Sequence, residues 1–192
     1  MIFTAQKGQT SYGEAIGILL LDTMTPFIKG DVGNATSYDY PVRYKRVDGL
    51  TTERIFSHDY TFIEKMIEGA RELEREGVKA ITGDCGFMAI FQKEVKESVN
   101  IPVFLSSLLQ IPFIRSTIAD GAKIGVLTAN SDSLTEDVLK RIGVENSHHL
   151  VIQGLQNEKH FKDAVVDEIG TLDSDEIRKE VVQAAENMIF DH

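Results

Sequence analysis

Continuous apolar runs that end abruptly in polar residues constrain the fold of this chain more than any other feature. Residues 15–21 (AIGILLL) lie between Glu14 and Asp22, and residues 78–82 and 123–127 are runs of the same kind. Such runs are typical of strands that are buried on both faces of a parallel sheet, because helices cover both faces. The sequence therefore predicts an α/β fold in which polar residues follow the strand ends.

Amphipathic helices alternate with these runs. Residues 59–76 place apolar side chains on one face, with a capping box that begins at Thr61 and a stop at Gly77. Residues 173–189 repeat the pattern with a box that begins at Asp173. The alternation predicts a parallel sheet flanked by helices. Further helices are predicted over residues 88–95, 108–118 and 134–141. Further strands are predicted over residues 42–47, 103–105 and 149–152, and the first of these is expected to be an edge strand of the sheet.

Composition excludes several classes of function. The 192 residues carry a net charge of -10 without a basic patch, so we expect no nucleic-acid partner. The apolar run at residues 16–21 is much shorter than the ~20 residues that span a bilayer, so we expect no membrane partner and a cytoplasmic location. The histidines lack metal-ligand spacing, and one cysteine allows neither an internal disulfide nor a thiolate zinc site. We therefore predict no metal and no cofactor.

The single cysteine, Cys85, lies where an apolar strand gives way to a Gly-Asp-Cys-Gly turn. This junction faces ligands in α/β proteins, because backbone N–H groups at the start of the next helix are unpaired there. Gly83 and Gly86 allow a ligand to approach the backbone closely. We expect the pKa of the Cys85 thiol to lie below its usual ~8.5, which makes the thiol reactive. The alternative is that Cys85 is a small buried hydrophobic residue.

Polar residues at other strand ends and in one loop are candidates for ligand contact. Asp22 and Thr23 follow the first apolar run, at the carboxyl end of the predicted strand, where open α/β sheets bind ligands. Asp22 could equally cap a turn. Thr128 ends a later run in a similar way. Residues 25–40 form a long loop rich in turn residues, in which Asn34 either holds the loop or touches a ligand.

The order of elements divides the chain into a leader and two similar portions. Residues 1–14 show no period and are predicted to be a flexible leader. Residues 15–118 form a first α/β lobe with Cys85, and residues 119–192 form a second. Because the counterpart of the Cys85 turn would fall at about the end of the sequence, we expect a truncated second lobe. Its long helix would then expose an apolar stripe, which favours a homo-oligomer.

Five segments of the sequence together carry a resemblance to a known family. They are IGILLLDT at 16–23, GDVGN at 30–34, TGDCGF at 82–87, PVFLSSLLQ at 102–110 and KIGVLTAN at 123–130. This combination resembles the aspartate/glutamate racemase superfamily, which also includes hydantoin racemase, maleate isomerase and arylmalonate decarboxylase. The resemblance implies two similar Rossmann-like lobes, each with a parallel sheet flanked by helices and each contributing one cysteine to a cleft. It implies Cys85 as the first catalytic cysteine, and it places Asp22, Thr23, Gly86 and Thr128 around a substrate carboxylate.

The resemblance implies a racemase or isomerase in which a cysteine thiolate moves a proton at Cα of a small carboxylic or amino acid, without pyridoxal phosphate or metal. Because two opposed thiols invert a stereocentre, Cys85 alone predicts proton exchange on one face and no useful racemisation by the 192 residues. Two alternatives stay open. One is a non-catalytic ligand-binding domain, and the other is a cysteine-nucleophile isomerase or decarboxylase relative. A covalent adduct would indicate the nucleophile, whereas solvent hydrogen at Cα would indicate proton transfer.

Overall fold

A computed structural model describes residues 1–2, 4–5 and 7–190. Within these residues the chain forms two compact units, and in each the strands pair in parallel, as the sequence predicts. The first unit comprises Met1–Asp22, Phe27–Leu50 and Asp59–Ser107, and the second comprises Thr23–Pro26, Thr51–His58 and the described residues from Leu108 onward.

The sheet of the first unit brings the ends of two buried strands together. Its strands are β1 (Ile16–Leu20), β2 (Val42–Arg46), β3 (Ala80–Gly83) and β4 (Val103–Phe104), in the order β2-β1-β3-β4. The strand β2 lies at an edge, as predicted, and Ile18 and Leu19 of the central β1 are fully buried. Leu19 of β1 pairs with Gly83 of β3, so these strands end side by side. The turn that contains Cys85 therefore leaves the sheet next to the end of β1.

Helices connect the strands in both units. In chain order they are α1 (Thr52–Phe56), α2 (Ile63–Glu76), α3 (Gln92–Ser98), α4 (Gln110–Arg115), α5 (Glu136–Arg141), α6 (Lys159–Phe161) and α7 (Ser174–Phe190).

The long helix α2 ends as predicted but begins differently. Gly77 ends it in the left-handed conformation, with φ of 100°. At the start, the Asp59 carboxylate accepts the backbone N–H of Thr61 at 3.1 Å and its hydroxyl at 2.5 Å. A 3-10 turn, Tyr60–Phe62, therefore precedes α2, and the predicted Thr61 capping box is wrong because Asp59 already binds that N–H.

The segment after Cys85 also differs from the prediction of a helix over residues 88–95. A 3-10 helix, Gly86–Phe91, begins directly after Cys85, and α3 follows it. An amphipathic α-helix buries one face, whereas this segment buries five consecutive apolar residues. They are Phe87, Met88, Ala89, Ile90 and Phe91.

A buried glutamine fixes the chain after β4. The Gln92 amide donates to the Val103 carbonyl at 2.9 Å and accepts the Leu105 N–H at 2.9 Å. Gln92 is itself buried, so these two bonds satisfy backbone groups that water does not reach. They hold the chain just before Ser106, a buried residue at the carboxyl end of β4.

The second unit is built on a parallel pair of strands, β5 (Ile124–Thr128) and β6 (Leu150–Gly154). Ahead of α7, the Asp173 carboxylate accepts the N–H groups of Asp175 and Glu176, both at 3.1 Å, which confirms the predicted start of this helix. The helix α1 and a π-helical turn at Lys162–Val166 were not predicted, because both are too short to show a helical period.

Among the helices that the structure describes, none combines the length and apolar character that a membrane span requires.

Candidate functional site

The turn that follows β3 places Cys85 at the start of the 3-10 helix. Its backbone is extended, with φ of −125° and ψ of 128°, and its carbonyl accepts the Met88 N–H at 3.0 Å. This geometry aims the first N–H groups of the helix at the cysteine, and the backbone N–H groups of Phe87 and Met88 stabilise a negative charge on its sulfur. The predicted position of Cys85 at a strand-to-helix junction is confirmed.

Asp84, the residue before the cysteine, binds the neighbouring strand end. Both of its carboxylate oxygens accept the Leu21 N–H, at 3.0 and 3.2 Å. Its own N–H donates to the Leu19 carbonyl at 3.1 Å. Sequence reasoning did not select Asp84 as a functional residue, although its place between Gly83 and Cys85 in the segment TGDCGF was a usable signal.

The charges at this turn oppose ionisation of the thiol. Burial, with a smaller contribution from the adjacent Asp84 carboxylate, raises the pKa of Cys85 to about 12 against the weaker effect of the Phe87 and Met88 N–H groups. Burial likewise raises the pKa of Asp84 to about 7. The expectation that Cys85 has a lowered pKa is therefore wrong, because desolvation outweighs the helix N–H groups.

Two glycines flank this pair in different environments. A Cβ on Gly83 would collide with the Met88 sulfur and would lie 2.9 Å from the Leu105 carbonyl oxygen. Gly86 is exposed, and the nearest atom to a Cβ there is the Ser106 hydroxyl oxygen at 3.8 Å. Gly83 thus serves packing, whereas Gly86 leaves open backbone beside Cys85.

Asp22 and Asn34 make local contacts in the first unit. The Asp22 carboxylate accepts the Gly49 N–H at 2.8 Å and lies 3.7 Å from the Arg46 guanidinium. Asn34 accepts the N–H and hydroxyl of Thr36 at 2.9 and 2.7 Å and donates to the Phe27 carbonyl at 2.8 Å. These bonds hold turns and the loop, and contact of either side chain with a ligand stays a prediction.

Thr23 and Thr128 belong to the second unit. The segment Thr23–Pro26 is held there by the Met24 N–H, which donates to the Glu168 carboxylate at 3.2 Å. The Thr128 carbonyl accepts the Leu155 N–H at 2.9 Å, at the end of β5. The structure thus describes Asp22, Asn34, Cys85 and Gly86 in one unit and these two threonines in the other, and the predicted roles of the threonines stay predictions.

Across the described ranges, no group of three or more histidine, cysteine, aspartate or glutamate side chains could hold a metal ion.

Two solved structures share the fold of this chain. A candidate Asp/Glu racemase from Yersinia pestis has a TM-score of 0.55 over 92% of this chain and 81% of that chain, at 12% identity. Unliganded arylmalonate decarboxylase has a TM-score of 0.51 over 91% of this chain and 73% of that chain, at 16% identity. The chain therefore has the fold of the aspartate/glutamate racemase superfamily, which confirms the predicted fold class. No protein-family model matches it.

Sequence comparison finds curated relatives that share one enzyme name. The chain is 35% identical to a dimethylsulfoniopropionate lyase of Durusdinium sp. clade D, over 93% of this chain and 61% of that protein. It is 33% identical to dimethylsulfoniopropionate lyase 3 of Emiliania huxleyi, over 93% of this chain and 48% of that protein. The chain thus spans about half to three fifths of the length of these curated relatives, which are enzymes by name.

Proposed function

We propose that this chain carries the acid–base centre of a lyase that acts on dimethylsulfoniopropionate, with the Cys85 thiolate as the base. The observation that carries the proposal is the similarity to two dimethylsulfoniopropionate lyases over 93% of the chain. The position of Cys85 supports it, because the residue follows the carboxyl end of β3. Open α/β folds bind ligands at the carboxyl ends of their parallel strands.

The reaction requires one base on one face of the substrate. The thiolate takes a proton from the carbon next to the carboxylate, and the electron pair of that C–H bond forms a double bond to the neighbouring carbon. The bond from that neighbouring carbon to the sulfonium sulfur breaks, so dimethyl sulfide leaves with the electron pair and acrylate remains. The thiol then returns its proton to solvent. A positioned base of this kind contributes roughly 10²–10⁴-fold to the rate.

A racemase acting on an amino acid is the second candidate, and the shared fold is what favours it. Both reactions begin when a thiolate removes a Cα proton. They differ in the next step, because racemisation returns a proton from the opposite face whereas elimination expels a leaving group. We place the lyase first because the chain is similar to two dimethylsulfoniopropionate lyases over 93% of its length.

Release of dimethyl sulfide separates the two candidates. The purified protein is incubated with dimethylsulfoniopropionate, and the headspace is analysed by gas chromatography. In parallel, D- and L-aspartate and D- and L-glutamate are incubated in heavy water and examined by NMR for deuterium at Cα. We expect dimethyl sulfide and acrylate in equal amounts. Deuterium in an amino acid without release of dimethyl sulfide would contradict the lyase and support the racemase.

A further inference from the structure

Thr23 is a half-buried residue of the second unit whose hydrogen-bond donors are unused. Within the described part of the chain, no hydrogen bond involves its hydroxyl or its backbone N–H. The two residues that follow Thr23, in contrast, are both bonded to the segment after α6. The hydroxyl and the N–H of Thr23 are therefore available to a ligand, next to a stretch of chain that is fixed.

Two hydrogen bonds fix that stretch. The Met24 N–H donates to the Glu168 carboxylate at 3.2 Å, and the Thr25 hydroxyl donates to the Ala164 carbonyl at 3.1 Å. Both acceptors belong to the second unit, and both lie in or directly after its π-helical turn.

The π-helical turn makes the bond to Ala164 possible. In an α-helix, the Ala164 carbonyl would accept the N–H of the residue four positions later. Here the Asp167 N–H donates to the Lys162 carbonyl at 2.8 Å, and the Ile169 N–H donates to the Asp163 carbonyl at 3.0 Å. The Ala164 carbonyl is thus left for a side chain. Single π-helical turns of this kind are frequent at functional sites.

Glu168 is held in a conformation that costs stability. Its backbone is left-handed, with φ of 51°, a region that glycine adopts easily and residues with a Cβ do not. Its Oε2 atom accepts the Met24 N–H, whereas its Oε1 atom is buried and has no hydrogen-bond partner among the described residues. Strained backbone and unbonded buried polar atoms are retained mainly where they serve a function.

We propose that Glu168 is a positioning residue that, through Met24, holds Thr23 where its hydroxyl and N–H bind the substrate carboxylate. This assignment rests on the proposed function. The costly features of the second unit lie in the segment that binds the two residues after Thr23, and a carboxylate requires donors such as the two that Thr23 leaves unused. Donors that are fixed in advance lose less conformational freedom when a ligand binds. Loss of the Glu168 bond therefore weakens carboxylate binding although Glu168 itself does not touch the ligand.

Two probe molecules of nearly the same shape isolate the carboxylate. One is 3-(trimethylammonio)propanoate, an acid with a poor leaving group, and the other is its amide, 3-(trimethylammonio)propanamide. Calorimetry gives the Kd of each for the wild type and for Thr23→Val, Glu168→Ala, Glu168→Gln and Thr25→Val. Glu168→Gln keeps an acceptor for the Met24 N–H, and Thr25→Val removes the bond to the π-helical turn. The control is Glu145→Ala, at an exposed acid elsewhere in the second unit.

We expect the wild type, Glu168→Gln and Glu145→Ala to prefer the acid over the amide by about tenfold, which corresponds to about 1.4 kcal/mol. Thr23→Val, Glu168→Ala and Thr25→Val should each lose most of this preference. Glu168→Ala should have no further effect on the ratio of the two Kd values when it is combined with Thr23→Val, because both changes act on the same donors. A purely structural Glu168 would lower the Tm and leave that ratio unchanged.

A preference that survives in folded Glu168→Ala or in Thr23→Val, or effects of these two changes that add in the double variant, would overturn the assignment. If Glu168→Ala does not fold, a preference that survives in Thr25→Val overturns it. A wild type that does not distinguish the probes, or that binds neither, overturns it as well.

Failure of this assignment is distinct from failure of the lyase proposal. A wild type that releases dimethyl sulfide while Glu168→Ala keeps the preference refutes the role of Glu168 alone. A wild type that releases no dimethyl sulfide, but whose preference for the acid is lost in Glu168→Ala, refutes the lyase and supports the positioning role of Glu168.

Discussion

The backbone N–H of Leu21 donates to both carboxylate oxygens of Asp84, at 3.0 and 3.2 Å, and so joins two strand ends that are 63 residues apart in sequence. The bond fixes the turn that carries Cys85 against the end of β1. It also keeps an acid directly beside the thiol, where the acid opposes thiolate formation. The same contact therefore positions the proposed base and adds to the effect of burial, which keeps the thiol protonated.

Substitution of Asp84 by asparagine should change how stability depends on pH. The folded-state pKa of about 7 lies above the ~3.9 of an exposed aspartate, so between these values the folded protein holds a proton that the unfolded chain has lost. The stabilising contribution of Asp84 is complete below about pH 4 and declines until about pH 7. Asp84→Asn lacks this decline, while its amide oxygen can still accept the Leu21 N–H.

We therefore expect the Tm of Asp84→Asn minus that of the wild type to increase from pH 4 to pH 7 and to stay constant above. Thermal unfolding followed by circular dichroism measures this difference. The control of equal charge change is Asp39→Asn, at an exposed acid elsewhere in the first unit. A difference that does not vary with pH would contradict the raised pKa.

Alkylation of Cys85 should be slow near neutral pH. With a pKa of about 12, the thiol is ionised to about one part in 10⁵ at pH 7. We expect iodoacetamide to react more slowly with Cys85 than with a free cysteine at pH 8, and Asp84→Asn to react faster than the wild type. A rate profile with an apparent pKa at or below ~8.5 would contradict the raised pKa of the thiol.

The fold was predictable from the sequence because it follows from apolar periodicity. The run at residues 15–21 contains the buried strand β1, and the long amphipathic pattern before Gly77 contains α2. The turn at Cys85 followed from the glycines around it. Short elements such as α1 escaped prediction because five residues cannot show a helical period.

The two glycines of the turn should respond differently to alanine. Gly83→Ala should destabilise the protein by about 1–3 kcal/mol, because its Cβ would meet the Met88 sulfur and the Leu105 backbone oxygen. Gly86→Ala should unfold at nearly the wild-type denaturant concentration, since its Cβ would make an ordinary contact with Ser106. Urea unfolding of both variants makes the comparison, and equal losses of stability would contradict the packing described here.

Removal of the Gln92 side chain should destabilise the first unit more than removal of its neighbour. Gln92→Ala leaves the Val103 carbonyl and the Leu105 N–H without their buried partner, at a cost of about 1–3 kcal/mol for each group. The control is Lys93→Ala at an exposed position of the same helix. Urea unfolding should show a clear loss for Gln92→Ala and a small change for Lys93→Ala, and similar changes would contradict the role of Gln92.

The ionisation of Cys85 could not be predicted from the sequence, because it depends on contacts between distant segments. Local pattern indicates that helix N–H groups lie near the thiol, and they do. Asp84 is bound by Leu19 and Leu21 at the end of β1, and Cys85 beside it is half-buried, and no local pattern encodes either feature. The sequence predicted the position of Cys85 at a strand-to-helix junction, whereas contacts between distant segments affect the pKa of its thiol.

The central claim is that the Cys85 thiolate removes the proton that leads to elimination, and the rate of dimethyl sulfide release by Cys85→Ser tests it most directly. The serine keeps the shape of the side chain, but its hydroxyl is a far weaker acid than the thiol and does not supply the base. We predict that Cys85→Ser releases dimethyl sulfide at least ~100-fold more slowly than the wild type, while its Tm is unchanged and Asp39→Asn keeps the wild-type rate. A folded Cys85→Ser variant that releases dimethyl sulfide at the wild-type rate would contradict the account.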